Sequence, residues 1–212
     1  VVDLVESLVE SGRAQCVLGN HDLNILLKHR KHDNGWFFGD EFTKDGIVVP
    51  QVLADESIRQ RVLEFFRTLP IALERDDLRV IHACWHDAMI AIARESNDVV
   101  DLYNEHHELI ESGFPDLELD DIDKGLEHQN KNPVKLLSSG PEERIDKPVH
   151  SGGKARNEQR VQWWNRYDGS FCVFGHYSIP GGRPRGNGST VCVDYGVGRR
   201  GTERRADSGR DF

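Results

Sequence analysis

Three short apolar runs, each followed at once by side chains that can bind a metal or transfer a proton, constrain this chain more than any other feature. Asn20 and His21 follow the first run, His82 follows the second and His176 follows the third. In α/β folds, functional sites are built where strands end. An amide oxygen and two imidazoles from separate strands can bind one divalent metal ion. The three runs are CVLGNHD at 16–22, RVIHACW at 79–85 and FCVFGH at 171–176.

Strand-like and helix-like segments alternate in the first part of the chain, and the last part is rich in strand-like segments. This order predicts one α/β domain. Apolar residues at helical spacing, Asp55 or Ser57 as the cap and Pro70 as the terminator predict a helix in the stretch 55–70. The other predicted elements are a helix that ends near 11–12, a strand over 14–19, a helix after residue 22, a hairpin over 71–85 that turns at Asp76–Asp77, helical structure over 87–112, and strands over 171–180 and 189–198.

The segment 116–160 is polar, and we expect an irregular insertion or lid with short helical stretches there. Lys154, Arg156 and Arg160 are candidate substrate-binding residues, because lysine and arginine bind phosphate. The pair Trp163–Trp164 follows directly. The two indoles either stack on a nucleobase as part of the lid or pack in the core, and both interpretations remain open at this point.

Several other polar residues have plainer interpretations. His86 stands four residues after His82, as in the helical pair of zincins, but the glutamate of that motif is absent and a metalloprotease is not predicted. Asp87 is predicted to cap a helix. His106 and His107 lie in an acid-rich helical stretch and are predicted to be surface residues.

Composition excludes several classes of partner. The net charge of −9 argues against a general nucleic-acid-binding protein. No apolar run approaches the ~20 residues of a membrane helix, and no signal peptide is recognisable, so we expect no membrane partner and a cytoplasmic location. The four cysteines are widely spaced and are predicted to be buried free thiols in a reducing compartment. The arginine-rich residues 199–212 are predicted to form a solvated basic tail.

Four motifs of the chain resemble those of the calcineurin-like metallophosphoesterase family and occur in the family's order. The resemblance covers residues 1–198, and the single GH motif points to the branch that contains serine/threonine phosphatases and diadenosine tetraphosphatases. It implies a two-sheet β-sandwich flanked by helices, with a two-metal site at the strand ends. It also implies that His21 acts as the general acid or stabilises the phosphoryl oxygens, and that Asn20, His82 and His176 bind the second metal. The motifs are GNHD at 19–22, VIHA at 80–83, VFGHY at 173–177 and VDYGVG at 193–198.

The resemblance implies a hydrolase that cleaves a phosphate ester or phosphoanhydride with a metal-bound hydroxide. The implied cofactors are two divalent ions, of manganese, iron or zinc. The implied substrate is a nucleotide, another phosphorylated small molecule or a phosphoprotein. We slightly favour a nucleotide or a small phosphoester, because the stretch WWNRY at 163–167 offers aromatic surface for stacking.

The chain also departs from the family's pattern. In the family, a D-x-H motif and a GDxxDRG motif precede GNHD and supply the first metal's ligands and the bridging carboxylate. Neither motif is present, and GDEFTKD at 39–45 has the wrong spacing and follows GNHD. We therefore expect an N-terminally incomplete family member that is a poor catalyst on its own. The alternative is a non-catalytic remnant or binding module with an incomplete, single-metal site.

Overall fold

A four-stranded mixed sheet forms the centre of the fold. The computed structural model describes residues 1–31, 34–44, 47–151, 154–177 and 188–194. The sheet has the order β3-β4-β7-β8, in which β3 and β4 are antiparallel and β4, β7 and β8 are parallel. The four strands are β3 (Ala72–Arg75), β4 (Leu78–Ile81), β7 (Phe171–Phe174) and β8 (Thr190–Cys192).

Two further pairs of antiparallel strands lie outside this sheet, so the mixed α/β class is confirmed. In the described part of the chain, these pairs do not join the central sheet, and the two-sheet sandwich stays a prediction. The predicted domain boundary at 198 and the basic tail at 199–212 lie outside the described residues. The additional strands are β1 (Phe42–Lys44) with β2 (Ile47–Val49), and β5 (Glu142–Ser151) with β6 (Lys154–Arg160).

Eight α-helices lie in the described part, and several begin at a capping side chain. Asp55 Oδ1 accepts a hydrogen bond from Ile58 N at 2.9 Å at the start of α4, as its position before the apolar repeat predicts. No helix in the described part is both long and apolar enough to cross a membrane. The helices are α1 (Val2–Glu10), α2 (Asn20–Leu26), α3 (Gly35–Phe38), α4 (Glu56–Thr68), α5 (Asp87–Arg94), α6 (Val99–Gly113), α7 (Asp121–Lys131) and α8 (Pro133–Ser139).

The core has two parts. One consists of the central sheet with side chains of α5 and α8, and contains the fully buried Phe174 and Leu137. The other consists mainly of side chains from α2, α4 and α6 with Leu18, Phe37 of α3 and Val134 of α8, and partly buried residues of α1 pack against it. All four cysteines are free thiols; three are buried and Cys16 is half-buried. Phe174 precedes the Gly175–His176 pair, so the core fixes the end of β7 next to the candidate site.

The structure corrects one predicted strand and one predicted helix cap, and it divides one predicted helical stretch in two. Residues 14–19 form no strand, because no strand of the described part pairs with them: Leu18 N donates to Pro70 O at 2.8 Å, and only Leu18 and Gly19 of the run are buried. The stretch 87–112 is two helices, α5 and α6, since Asp98 starts the second one by accepting from Val100 N and Asp101 N. Asp87 is not the cap of α5. His86 takes that position, and Asp87 Oδ1 accepts from the Trp85 indole at 2.8 Å.

The segment 116–160 contains the expected short helices, α7 and α8, but it is more regular than predicted, since β5 and β6 lie there as well. Helix α8 is part of the core: Val134 and Leu137 are both 0% exposed. Its short apolar stretch is flanked by polar residues, which conceal it in the sequence. Trp163 and Trp164 are buried, and the Trp163 indole donates to Ala83 O at 2.8 Å, so the core interpretation of the pair is correct.

Two predicted surface histidines are partly enclosed. His106 and His107 of α6 are both half-buried. The ring of His107 stacks on that of His128 in α7, with 4.3 Å between the ring centroids. The packing of α7 against this face of α6 could not be foreseen from the acid-rich sequence around the two histidines.

Candidate metal centre

The parallel pairing of β4 and β7 brings two of the predicted ligands together. His82 follows β4, and His176 follows β7 after one intervening glycine. Ile81 lies opposite Phe174 in the register, so the two strands end at the same level. Beyond the ladder, Gly175 N donates to His82 O at 2.9 Å and continues the pairing by one bond. The two imidazoles are therefore neighbours at the carboxyl edge of the sheet.

Asn20, the first residue of α2, completes the predicted set. Asn20 Oδ1 lies 3.0 Å from His82 Nε2, and the ring centroids of His82 and His176 are 5.2 Å apart, with 64° between the ring planes. The distance of 3.0 Å between these two atoms suits a shared ion, because two ligand atoms at right angles, each about 2.1 Å from the ion, are about 3.0 Å apart. The structure thus brings Asn20, His82 and His176 together, while their binding of a metal stays a prediction.

The glycine of GNHD permits this approach. A Cβ atom at Gly19 would lie 3.0 Å from both Cε1 and Nδ1 of His82, a contact so tight that the imidazole would have to shift by a few tenths of an ångström. Asp22 Oδ2 accepts from Gly19 N at 3.0 Å, which fixes the first turn of α2. Burial raises the pKa of this carboxyl, and the hydrogen bond from Gly19 opposes the rise. Asp22 therefore orients the loop and leaves Asn20 and His21 at the start of the helix.

His176 occupies an unusual backbone conformation. Its φ angle is +66°, in the left-handed region that residues with a side chain rarely adopt. Tyr177 N donates to Gly175 O at 2.7 Å across this tight turn, and Cys192 Sγ approaches Tyr177 O at 3.1 Å. Strained residues of this kind persist where surrounding structure holds them, and they concentrate at functional sites. The turn directs His176 toward His82 instead of onward along the strand.

Both imidazoles are held in the neutral form. Burial lowers the pKa of His82 to about 4. The positive charges of His21 and Arg160 lower it as well, whereas Asp194 opposes them. Neutral imidazole is the form that binds metals.

The pKa of His176 is lowered to about 3, mainly by burial and then by the charge of Arg160. A hydrogen bond with the backbone of Ser139, at the end of α8, opposes this shift. His176 Nε2 is buried and has no hydrogen-bond partner among the described residues. Buried polar atoms are usually paired, so this free acceptor fits a missing ligand. Together with an amide oxygen, two neutral imidazoles suit a divalent ion of the manganese-to-zinc series.

Of the remaining predicted site residues, some lie beside the candidate centre and others do not. His21 is exposed beside Asn20, and its charge acts on both buried histidines. Arg160 is close to the site, because its Nη1 donates to His176 O at 3.4 Å. Arg156 instead pairs with Glu158 at 3.2 Å. Lys154 starts β6, but the position of its side chain lies outside the described part of the structure.

One residue near the site was missed in the sequence analysis. Asp194 follows β8, which runs parallel to β7, and its charge acts on His82. Its position two residues beyond an apolar strand, inside VDYGVG, is the signal that identifies it. The same strand-end rule that selected the histidines would have selected this carboxylate. Residues 195–198 of that motif lie outside the described residues.

Acid is expected to destabilise the metal-free protein through His82. The unfolded side chain titrates near 6.5 and the folded one at about 4. The unfolded state binds more protons between these values, so the free energy of unfolding falls as the pH drops through this window and is restored above about pH 6.5. One pH unit corresponds to 1.36 kcal/mol for one proton, so protonation of His82 should lower the free energy of unfolding by about 2 kcal/mol between pH 7 and pH 5. Urea unfolding with a chelator present measures this loss. His82→Asn should lose less stability than the natural chain, and equal losses would contradict the account.

Comparisons with known proteins leave the family of the chain open. No protein-family model, no curated protein and no solved structure matches it. The functional argument therefore depends on the motifs and on the geometry around His82 and His176.

Proposed function

We propose that this chain carries part of the active site of a divalent-metal-dependent phosphoesterase of the calcineurin-like class. One observation carries the proposal: Asn20, His82 and His176 meet at the carboxyl ends of two parallel strands. The free Nε2 of His176 supports it, since that buried atom has no partner among the described residues. Under this proposal, the central sheet is one layer of the family's two-sheet sandwich.

Each residue then has a defined task. Asn20, His82 and His176 hold one cation, and burial keeps both imidazoles available as ligands. When bound, divalent cations stabilise phosphoryl oxygens and make water a stronger nucleophile at neutral pH. His21 is exposed next to the ligands and donates a proton to the leaving oxygen. Arg160 adds a positive charge that attracts the phosphoryl group.

The substrate we propose is a small phosphoester. Of the two substrates that the sequence favours, a nucleotide or a small phosphoester, the nucleotide needs an indole to stack on, and Trp163 and Trp164 are both buried in the core. A basic side chain at the site supports an anionic substrate, and the net charge of −9 does not favour nucleic acid. A phosphorylated side chain of a protein carries the same group and remains within the proposed class.

A specific observation favours the alternative of a single-metal binding module. The three converging ligands are two imidazoles and an amide, so none of them brings a negative charge to the cation. Asp194, which follows β8, contributes a negative charge that acts on His82. Hydrolysis of an aryl phosphate with added Mn²⁺ separates the two functions. Turnover above the metal-only background supports the phosphoesterase, and Mn²⁺ binding without turnover supports the module.

Removal of one ligand tests the site directly. His82→Asn should weaken Mn²⁺ binding by at least about tenfold, because even supporting residues around metal sites contribute that much. Isothermal titration and the electron paramagnetic resonance signal of free Mn²⁺ measure the affinity. His86→Asn is the matched control: His86 is exposed, and asparagine preserves its helix-capping position. Unchanged binding in His82→Asn, or an equal loss in both variants, would remove the observation on which the proposed function depends.

A further inference from the structure

A second cluster of metal-ligand side chains lies between α6 and α7, separate from the candidate centre. His107 and Glu111 are four residues apart in α6 and therefore share one face of the helix. His128 reaches them from α7. One ligand atom from each of these three side chains lies within 4.8 Å of the others. In the described part of the chain, this is the one such group of three His, Cys, Asp or Glu side chains.

The three side chains are held by direct contacts. His128 Nε2 lies 2.6 Å from Glu111 Oε1, and the rings of His128 and His107 are stacked with centroids 4.3 Å apart. Tyr103 also stacks on His107 at 5.8 Å, and Phe114 meets His128 edge-on at 5.3 Å. Aromatic rings thus pack against both histidines of the cluster.

The cluster has acceptors that no described residue uses. The Nδ1 atoms of His107 and His128 are both buried and have no hydrogen-bond partner among the described residues. His128 is only 9% exposed, whereas the Glu111 side chain is 52% exposed. The two imidazole nitrogens are buried and available as ligands, and the carboxylate beside them is accessible to solvent. A cation can therefore enter from the surface.

We propose that His107, Glu111 and His128 bind a divalent cation of the zinc type. Two imidazoles and one carboxylate are a ligand set that Zn²⁺ uses in proteins, with a fourth position left to water. The two rings are 23° from parallel, so their lone pairs do not point to one centre. Binding requires one ring to turn about its broad terminal torsion, and the ligand atoms to approach by about 1 Å.

A cation at this place joins α6 to α7. The same two regions are already linked by Asn132, which follows α7 and donates from Nδ2 to Tyr103 O at 2.9 Å. Helix α8 begins directly after Asn132 and ends at Ser139, whose backbone contacts His176. The cation therefore stabilises the packing of the helices that support the candidate centre, but it does not bind at that centre. The site does not depend on the proposed phosphoesterase activity.

Zinc retention by the whole chain tests this site. The probe is Zn²⁺ alone, and the chain is dialysed against low-micromolar Zn²⁺ and analysed for metal by mass spectrometry. His107→Gln and Glu111→Gln should each lose one equivalent of zinc, with binding weakened about 10²-fold, and the zinc-induced rise in melting temperature should shrink. The matched controls are His106→Gln and Glu108→Gln, which make the same chemical changes on other faces of α6.

The design separates this site from the first one and from misfolding. Glu111→Gln is also added to the His82→Asn variant. The double variant should retain one equivalent of zinc less than His82→Asn alone, because His82→Asn leaves the second site intact. The Glu111 side chain is half exposed and glutamine keeps an oxygen that can contact His128, so Glu111→Gln should change the metal-free melting temperature less than His107→Gln does. Zinc retention equal to that of the natural chain in Glu111→Gln, or an equal loss in the Glu108→Gln control, would overturn the proposal.

Discussion

Replacement of Gly140 by alanine is expected to destabilise the fold by at least about 3 kcal/mol. Gly140 follows α8 with φ +79° and ψ 165°, a combination that is almost confined to glycine. A Cβ atom there would lie 1.8 Å from Tyr177 Oη and 2.8 Å from Tyr177 Cζ. Tyr177 is 7% exposed and packed against Trp164, so its ring has no free space to enter. Urea unfolding of the Gly140→Ala variant measures the loss.

A second glycine provides the matched control for this experiment. Gly125 lies inside α7, and a Cβ atom there would meet nothing within 4 Å. Gly125→Ala should therefore leave stability unchanged or raise it by up to about 1 kcal/mol, the usual helix preference for alanine. Adding Tyr177→Phe to Gly140→Ala removes the nearest clashing atom and should restore part of the stability. Similar effects of the two alanine substitutions would show that the packing around Tyr177 is not as tight as described.

Under the proposed function, replacement of His21 by asparagine in a protein that turns over phenyl phosphate at this site is expected to lower that turnover by about 10²–10⁴-fold, the usual contribution of a general acid. His21 is exposed in the first turn of α2, next to Asn20, and its charge reaches both buried histidines. Because asparagine cannot deliver a proton to an alkoxide, the loss should be large for poor leaving groups. Turnover should be compared on phenyl phosphate and 2,4-dinitrophenyl phosphate with Mn²⁺ present.

The leaving group distinguishes the possible roles of His21. Dinitrophenolate needs no proton, so His21→Asn should affect that substrate far less, and the bound Mn²⁺ should not change. His86→Asn is the control here too, since His86 is exposed and caps α5. An equal loss on both esters would assign His21 to stabilisation of the phosphoryl oxygens, and a loss of Mn²⁺ would make it a ligand.

Local signals in the sequence predicted the local structure well. The hairpin of β3 and β4 turns at Asp76–Asp77, and α4 begins at Asp55 and ends before Pro70, because turn and capping residues act within a few positions of the chain. The strand-end rule also anticipated that His82 and His176 lie side by side.

Features that depend on distant packing were not predictable in this way. The run at 14–19 has strand composition, but no neighbouring strand pairs with it in the described part of the chain. Helix α8 is short and has polar neighbours, although its apolar side chains are fully buried. The cluster of His107, Glu111 and His128 joins two helices, and only the spacing of His107 and Glu111 was visible in the sequence.

The parallel pairing of β4 with β7 has a consequence for the order of folding. β3 and β4 are joined by a two-residue turn, so they can pair early. β4 ends at Ile81 and β7 begins at Phe171, so their pairing closes a long loop whose entropy must be lost before the ladder forms. His82 is positioned with the early hairpin, and His176 arrives only with this late step. Affinity for a cation at the candidate centre is thus acquired only after the chain closes the sheet, and binding reports that this closure has taken place.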